Sequence, residues 1–298
     1  MLHPQARAAL AEWAQQPSIA GAGPEEIAER RRQHRTAAAA ESREDVASVR
    51  DVDADGVVCR LYLPQPRAEL TGAILFLHGG GFVFGDLDTH DPQSRRLANR
   101  TGLAVLAVDY RRPPEHRFPA APDDVDTALA WLMANGADAG VDVTRVVALG
   151  DSAGGNLALV AALRNPNAFA ALVLVYPFLD PERGSPSYAE ANAGLTAEEA
   201  AWYWQQYAGS PEDLIDPDLA PLRSERLDTL PPSLVVAAEH DVLVDEDEEL
   251  ARRIGEAGGD VELSTYPGMV HGFWRRPELF DAAEASLAEI AAFLDRTF

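Results

Sequence analysis

Apolar positions change their spacing along this 298-residue chain, and the changes divide it into segments. Over residues 1 to about 45 they recur at helical intervals (Ala9, Leu10, Trp13, then Ile27 and Ala28). Breaks at Pro17 and at Gly21-Ala22-Gly23-Pro24 make this two short helices, and Glu25 and Glu26 suit the first turn of the second, where the helix dipole favours acids. Residues 46–52 and 57–63 instead alternate apolar with polar around Asp53-Ala54-Asp55-Gly56, which predicts a β-hairpin. Beyond it come short apolar runs at 73–77, 103–108, 146–149, 172–176, 234–238 and 261–266. Runs without alternation belong to strands buried on both faces, and helical patterns fall between most of them, notably at 125–133, 157–163 and 248–257. The sum is an α/β fold with a mostly parallel central sheet and helices on both faces.

Two segments stand outside that alternation. One is the stretch 1–45; the other is about 180–215, broken by Pro181, Pro186 and Pro211 and carrying Trp202-Tyr203-Trp204. They are expected to form a two-piece helical cap on a body spanning 46–298. The three aromatics either pack a helix onto the core or wall a pocket.

Charge narrows the partners. Acidic residues outnumber basic ones 48 to 25, a formal net charge of −23, and every basic residue is arginine. Nucleic acid and anionic membranes are poor partners for such a surface, because binding phosphates requires clustered cations. Cys59 is the single cysteine, so neither an internal disulfide nor a thiol metal cluster can form, and a reducing cytoplasm fits. No apolar run approaches the ~18 residues of a membrane span, and Met1-Leu2-His3-Pro4-Gln5-Ala6-Arg7 lacks the basic start and apolar core of a signal peptide.

The candidate chemistry centres on residues 146–160, where an apolar run ends in Gly150-Asp151-Ser152-Ala153-Gly154 and continues as an apolar helix. Small residues at 150 and 154 let the chain turn sharply and force Ser152 into a strained conformation at the tip, with the Ala153 N–H at a helix N-terminus suited to anions. A serine so placed needs a base, and the base needs an orienting group. Of seven histidines, His271 is best placed, in the glycine-bearing loop after the last strand. The orienting acid is sought after the strand at 234–238, among Glu239, Asp241, Asp245, Glu246 and Asp247. Asp241 lies nearest the strand end without abutting it, whereas Asp245 onward reads as an acidic first helical turn. Donors for a developing oxyanion are supplied by His78-Gly79-Gly80-Gly81 directly after the run 73–77.

These motifs together resemble the hormone-sensitive-lipase-like α/β-hydrolases, the bacterial family IV carboxylesterases, from about residue 57 to 293. His78-Gly79-Gly80-Gly81 is similar to that family's oxyanion loop, Gly150-Asp151-Ser152-Ala153-Gly154-Gly155-Asn156 to its nucleophile motif, and Asp109-Tyr110-Arg111-Arg112-Pro113-Pro114-Glu115-His116 to the turn before Phe118-Pro119-Ala120-Ala121. The family's proline after the acid is Val242 here, and its arginine two residues further on is Val244. The resemblance implies an α/β-hydrolase fold with a helical cap, a Ser152, Asp241 and His271 triad, and an oxyanion hole of Gly80, Gly81 and Ala153. It implies short soluble esters as substrates, no metal or organic cofactor, and a homodimer through the strand at 261–266. An amidase or peptidase with the same triad, and a non-catalytic ligand receptor on the same fold, are the alternatives. Around the site, His78, Asp151 and the Glu115-His116 pair read as braces, and Cys59 as a packing residue.

Overall fold

The computed structural model describes residues 1–64, 71–190 and 194–298. Residues 191–193, inside the second expected cap segment, and 65–70, inside the body, lie outside the described residues.

Chain order explains the layers. After helices α1 (Pro4–Trp13) and α2 (Pro24–Ala39) comes the hairpin β1 (Ser48–Ala54) and β2 (Val57–Leu63). The expected four-residue turn is a two-residue one, Asp55-Gly56, with φ of 51° and 94°. That is the positive-φ pair whose twist matches the flanking strands, so Asp53 and Ala54 stay in β1. Then follow β3 (Thr71–Leu77), α3 (Asp91–Thr101), β4 (Ala104–Val108), α4 (Ala120–Asn135), β5 (Val141–Asp151) and α5 (Ala153–Arg164). The last part holds β6 (Ala171–Val175), α6 (Ser187–Glu190), α7 (Ala197–Tyr207), β7 (Ser233–Ala238), α8 (Val244–Glu256), β8 (Val261–Tyr266) and α9 (Asp281–Thr297).

The eight strands form one sheet in the order β1-β2-β4-β3-β5-β6-β7-β8, antiparallel at β1, β2 and β4 and parallel from there on. Successive side chains of a strand point to opposite faces, and two cores result. Leu75, Leu77, Leu106, Ala148, Leu172 and Leu174 face α4, α5 and α8, while Ile74, Phe76, Val105, Val147, Leu149 and Val173 face α3 and α9. Strand β5 is longer than the run 146–149 because Val141 pairs with Thr71 across an irregularity of register.

The two N-terminal helices part company. Ala6 and Ala9 of α1 join the α9 side of the core, with Trp13 6.2 Å from Phe280 between ring centroids. Helix α2 instead packs Ile27 against Val83, Phe84 and Trp202. Its Arg31 holds the carboxylate of Glu115 (2.9 and 3.0 Å) and the carbonyls of Val83 (3.0 Å) and Pro113 (2.5 Å). Glu115 therefore secures α2 to the turn that carries it.

Candidate active site

Everything needed for the site comes from the carboxyl ends of the parallel strands, where such sheets build clefts. β5 ends at Asp151 and α5 begins at Ala153, so Ser152 alone makes the turn, at φ 55° and ψ −119°. The glycines leave no alternative at this junction. A Cβ on Gly150 would overlap the carbonyl of Gly154, and one on Gly154 would overlap the carbonyl of Leu77 on β3.

Ser152 Oγ stands 3.0 Å from His271 Nε2, and His271 Nδ1 stands 2.6 Å from Asp241 Oδ2. Asp241 is fully buried after β7, its other oxygen accepting the Leu243 N–H at 3.1 Å. The ring of Tyr176 lies 4.6 Å from that of His271. The other acids weighed for this place lie elsewhere. Glu239 accepts from Gly268 N–H at 2.6 Å, Asp245 from Ser187 N–H at 2.8 Å, and Glu246 from Leu179 and Asp180 N–H and the Tyr188 hydroxyl (2.8, 2.9 and 2.5 Å). Asp247 is buried on α8, and burial pushes its carboxyl well above the usual range.

The glycine loop after β3 is held from both sides. Gly79 donates its N–H to Asp151 Oδ1 at 3.0 Å, and its carbonyl meets His78 Nδ1 at 2.9 Å. That N–H is thereby turned away from the cleft. Among the described residues, no acceptor engages the N–H groups of Gly80, Gly81 or Ala153. His78 itself is sandwiched between the rings of Tyr110 (4.2 Å) and His90 (4.9 Å), and burial lowers its pKa to about 3, so it is a neutral brace. Asp151 is also a brace; burial raises its pKa, against the pull of Arg275 and the Gly79 N–H.

A cavity of about 150 Å³ opens over Ser152, walled by Gly80, Gly81, Tyr176, Phe178, Tyr203 and His271, with Arg275 at one end. The aromatic triplet divides its labour. Trp204 packs on Phe178 in the core and Trp202 on Phe84, while Tyr203 lies over Gly81 so closely that a Cβ there would overlap its ring. Sequence patterning marks the cluster but not which ring faces the cleft. It gives no signal for Arg275. Among the described residues no group of three or more His, Cys, Asp or Glu side chains could hold a metal ion. Chemically, the arrangement can deprotonate a hydroxyl and hold a small anion beside it.

A family model described as an alpha/beta hydrolase fold matches residues 74–275. Ethyl acetate hydrolase of Pseudomonas putida is 38% identical over 246 residues, 80% of this chain and 77% of its own. Carboxylesterase NlhH of Mycobacterium tuberculosis is 38% identical over 237 residues, 75% of this chain and 74% of its own. The solved structure of a hyperthermophilic esterase from the archaeon Pyrobaculum calidifontis superposes with a TM-score of 0.90 at 34% identity, covering 98% of this chain and 97% of its own.

Proposed function

This chain belongs to the α/β-hydrolase family and is a carboxylesterase, and we propose that Ser152, His271 and Asp241 perform its chemistry on short-chain esters. The observation that carries the assignment is the unbroken chain of contacts from Ser152 Oγ through His271 to the buried Asp241. Ser152 attacks the acyl carbon while His271 Nε2 takes its proton. The oxyanion of the tetrahedral intermediate is held by the N–H groups of Gly80, Gly81 and Ala153, the last favoured by the α5 dipole. His271 then gives its proton to the leaving alcohol, and water, activated by the same imidazole, releases the acid from the acyl-serine. Asp241 keeps the His271 proton on Nδ1 and stabilises the imidazolium.

Helix α2 and the segment about 180–215, α7 included, would form the cap that closes the acyl side, with Tyr203 as its innermost residue. The small cavity supports acetyl to hexanoyl chains. A phosphonate ester probe tests the assignment: one adduct per chain, mapped by mass spectrometry to Ser152, is expected, and labelling elsewhere contradicts it.

We also infer a cytoplasmic, homodimeric enzyme without nucleic-acid or membrane partners. The buried lone Cys59, the net charge of −23 and the lack of any helix, among the described residues, long and apolar enough to cross a membrane support this reading. β8 lies at a sheet edge with Leu263 exposed, which suits pairing with a second copy. Light scattering after size exclusion tests it, a monomer mass counting against it.

A further inference from the structure

The cleft over Ser152 does not end at the histidine. It adjoins a cavity of about 250 Å³ that reaches past Thr89 to Arg276, and one of about 210 Å³ between Trp13, Gln93 and Arg96. Arg275 lines all three. It sits four residues after His271, on the 3-10 turn Phe273–Arg275, and is half-buried.

Its guanidinium is unusual in this chain. Among the described residues, every other arginine that is not exposed meets a carboxylate, an amide oxygen or a backbone carbonyl; Arg275 meets none. Leaving a cation partly desolvated and unpaired is costly, and acids outnumber bases here by 48 to 25, so counter-ions were not scarce.

The surroundings point the same way. Gln93 and Arg96 line the adjoining cavity at 2% and 9% exposure, and Gln93 Nε2 and Arg96 Nε have no partner among the described residues. Two carboxylates face this space. Asp151 at the Ser152 end already accepts from Gly79, and Glu41 stands at the exposed rim. Arg276 is paired with Glu278. The inner wall thus holds a guanidinium without a hydrogen-bonded counter-ion, and Asp151, whose charge it favours across the cleft, is anchored to Gly79.

We propose that Arg275 receives a carboxylate carried by the substrate, so that the preferred esters are short ones bearing a free carboxylate, such as half-esters of small dicarboxylic acids. A guanidinium fork matches a carboxylate in two parallel hydrogen bonds. The net charge of −23 repels anions at long range, so recognition of such an ester has to be local. The proposal rests on Ser152 as the nucleophile.

The test compares charged and neutral isosteres on one enzyme preparation. Monoethyl succinate is set against ethyl levulinate, which carries the carboxylate on the acyl side or not at all. Acetoxyacetate is set against acetoxyacetone, which does the same for the alcohol side. Wild type is expected to turn over the charged member of at least one pair with the higher kcat/KM. In Arg275→Met that ratio should fall on the order of 10- to 100-fold, mainly through KM, with partial return in Arg275→Lys. The ratio does not depend on the folded fraction, since both substrates see the same protein. A wild-type enzyme that cleaves the neutral esters but prefers neither charged one overturns the proposal, as does an Arg275→Met that lowers both members of a pair equally. Failure to cleave any of the four, or p-nitrophenyl acetate, would instead refute the hydrolase chemistry on which it rests.

Discussion

Gly79 and Asp151, 72 residues apart, are joined by a 3.0 Å hydrogen bond from the glycine N–H to the carboxylate. The bond links the loop after β3 to the turn that carries Ser152, so the proposed oxyanion donors and the proposed nucleophile are held to one another. Asp151→Ala is expected to lower kcat on p-nitrophenyl acetate by roughly 10²-fold, with a smaller change in KM, because a loop shifted by an ångström misplaces donors that act on the transition state. Asp151→Asn keeps an acceptor and should recover most of the loss. Steady-state kinetics on the two variants decide; an alanine variant as active as wild type would show that the loop holds itself.

Tyr203 walls the cleft from α7, against Gly81, on the side proposed for the acyl chain. Truncating it should lengthen the pocket. With Tyr203→Ala the optimum in a p-nitrophenyl series moves by two or more carbons toward octanoyl, while acetyl turnover declines as the small chain loses its wall. An unchanged optimum would place the acyl chain elsewhere.

Arg31 is the main polar tie between α2 and the loops beneath it, through Val83, Pro113 and Glu115. Arg31→Ala leaves α2 held by the Ile27 cluster and the Arg35–Asp86 ion pair (2.6 Å). Hydrogen exchange across residues 24–39 should accelerate by at least tenfold, corresponding to ~1.4 kcal/mol of local stability, with the sheet unaffected. Equal exchange in variant and wild type would refute the tie.

Glu246 gives the fold a pH dependence of definite sign. Burial raises its pKa from about 4.5 to about 8, against three hydrogen bonds that favour the ionised form. Between those values the folded chain holds a proton that the unfolded chain has lost. This contribution to stability is therefore full below about pH 4.5 and disappears as pH rises through 8. Glu246→Gln removes the slope. Its melting temperature relative to wild type should climb by on the order of a few degrees between pH 5 and pH 8. A constant difference over that range would mean that Glu246 is ionised throughout.

Several of these relationships were beyond the reach of sequence patterning, for identifiable reasons. The turn at Ser152 is legible because it is steric: only glycine clears the Gly154 and Leu77 carbonyls, so the spacing itself carries the geometry. Asp241 is legible because it follows an apolar run that reads as a buried strand, and His271 because it lies in the glycine-bearing loop after the last strand. The diversion of the Gly79 N–H is not, since it depends on a carboxylate that the fold brings from β5. Nor is the separation of α1 from α2. Both have helical spacing, and only tertiary contacts decide that Trp13 goes to Phe280 while Ile27 goes to Phe84. Arg275 looks from sequence like one of many solvated arginines; its isolation appears only once the partners of the others are known.

The central claim is that Ser152 is the nucleophile of an esterase. Its most direct test is hydrolysis of p-nitrophenyl esters from acetyl to palmitoyl by wild type and Ser152→Ala, with the fold of each checked by circular dichroism. Wild type is expected to turn over acetyl to hexanoyl esters, and the folded alanine variant to lose at least about 10³-fold. A folded Ser152→Ala protein that keeps wild-type rates, or a wild type whose rate climbs past decanoyl, would contradict it.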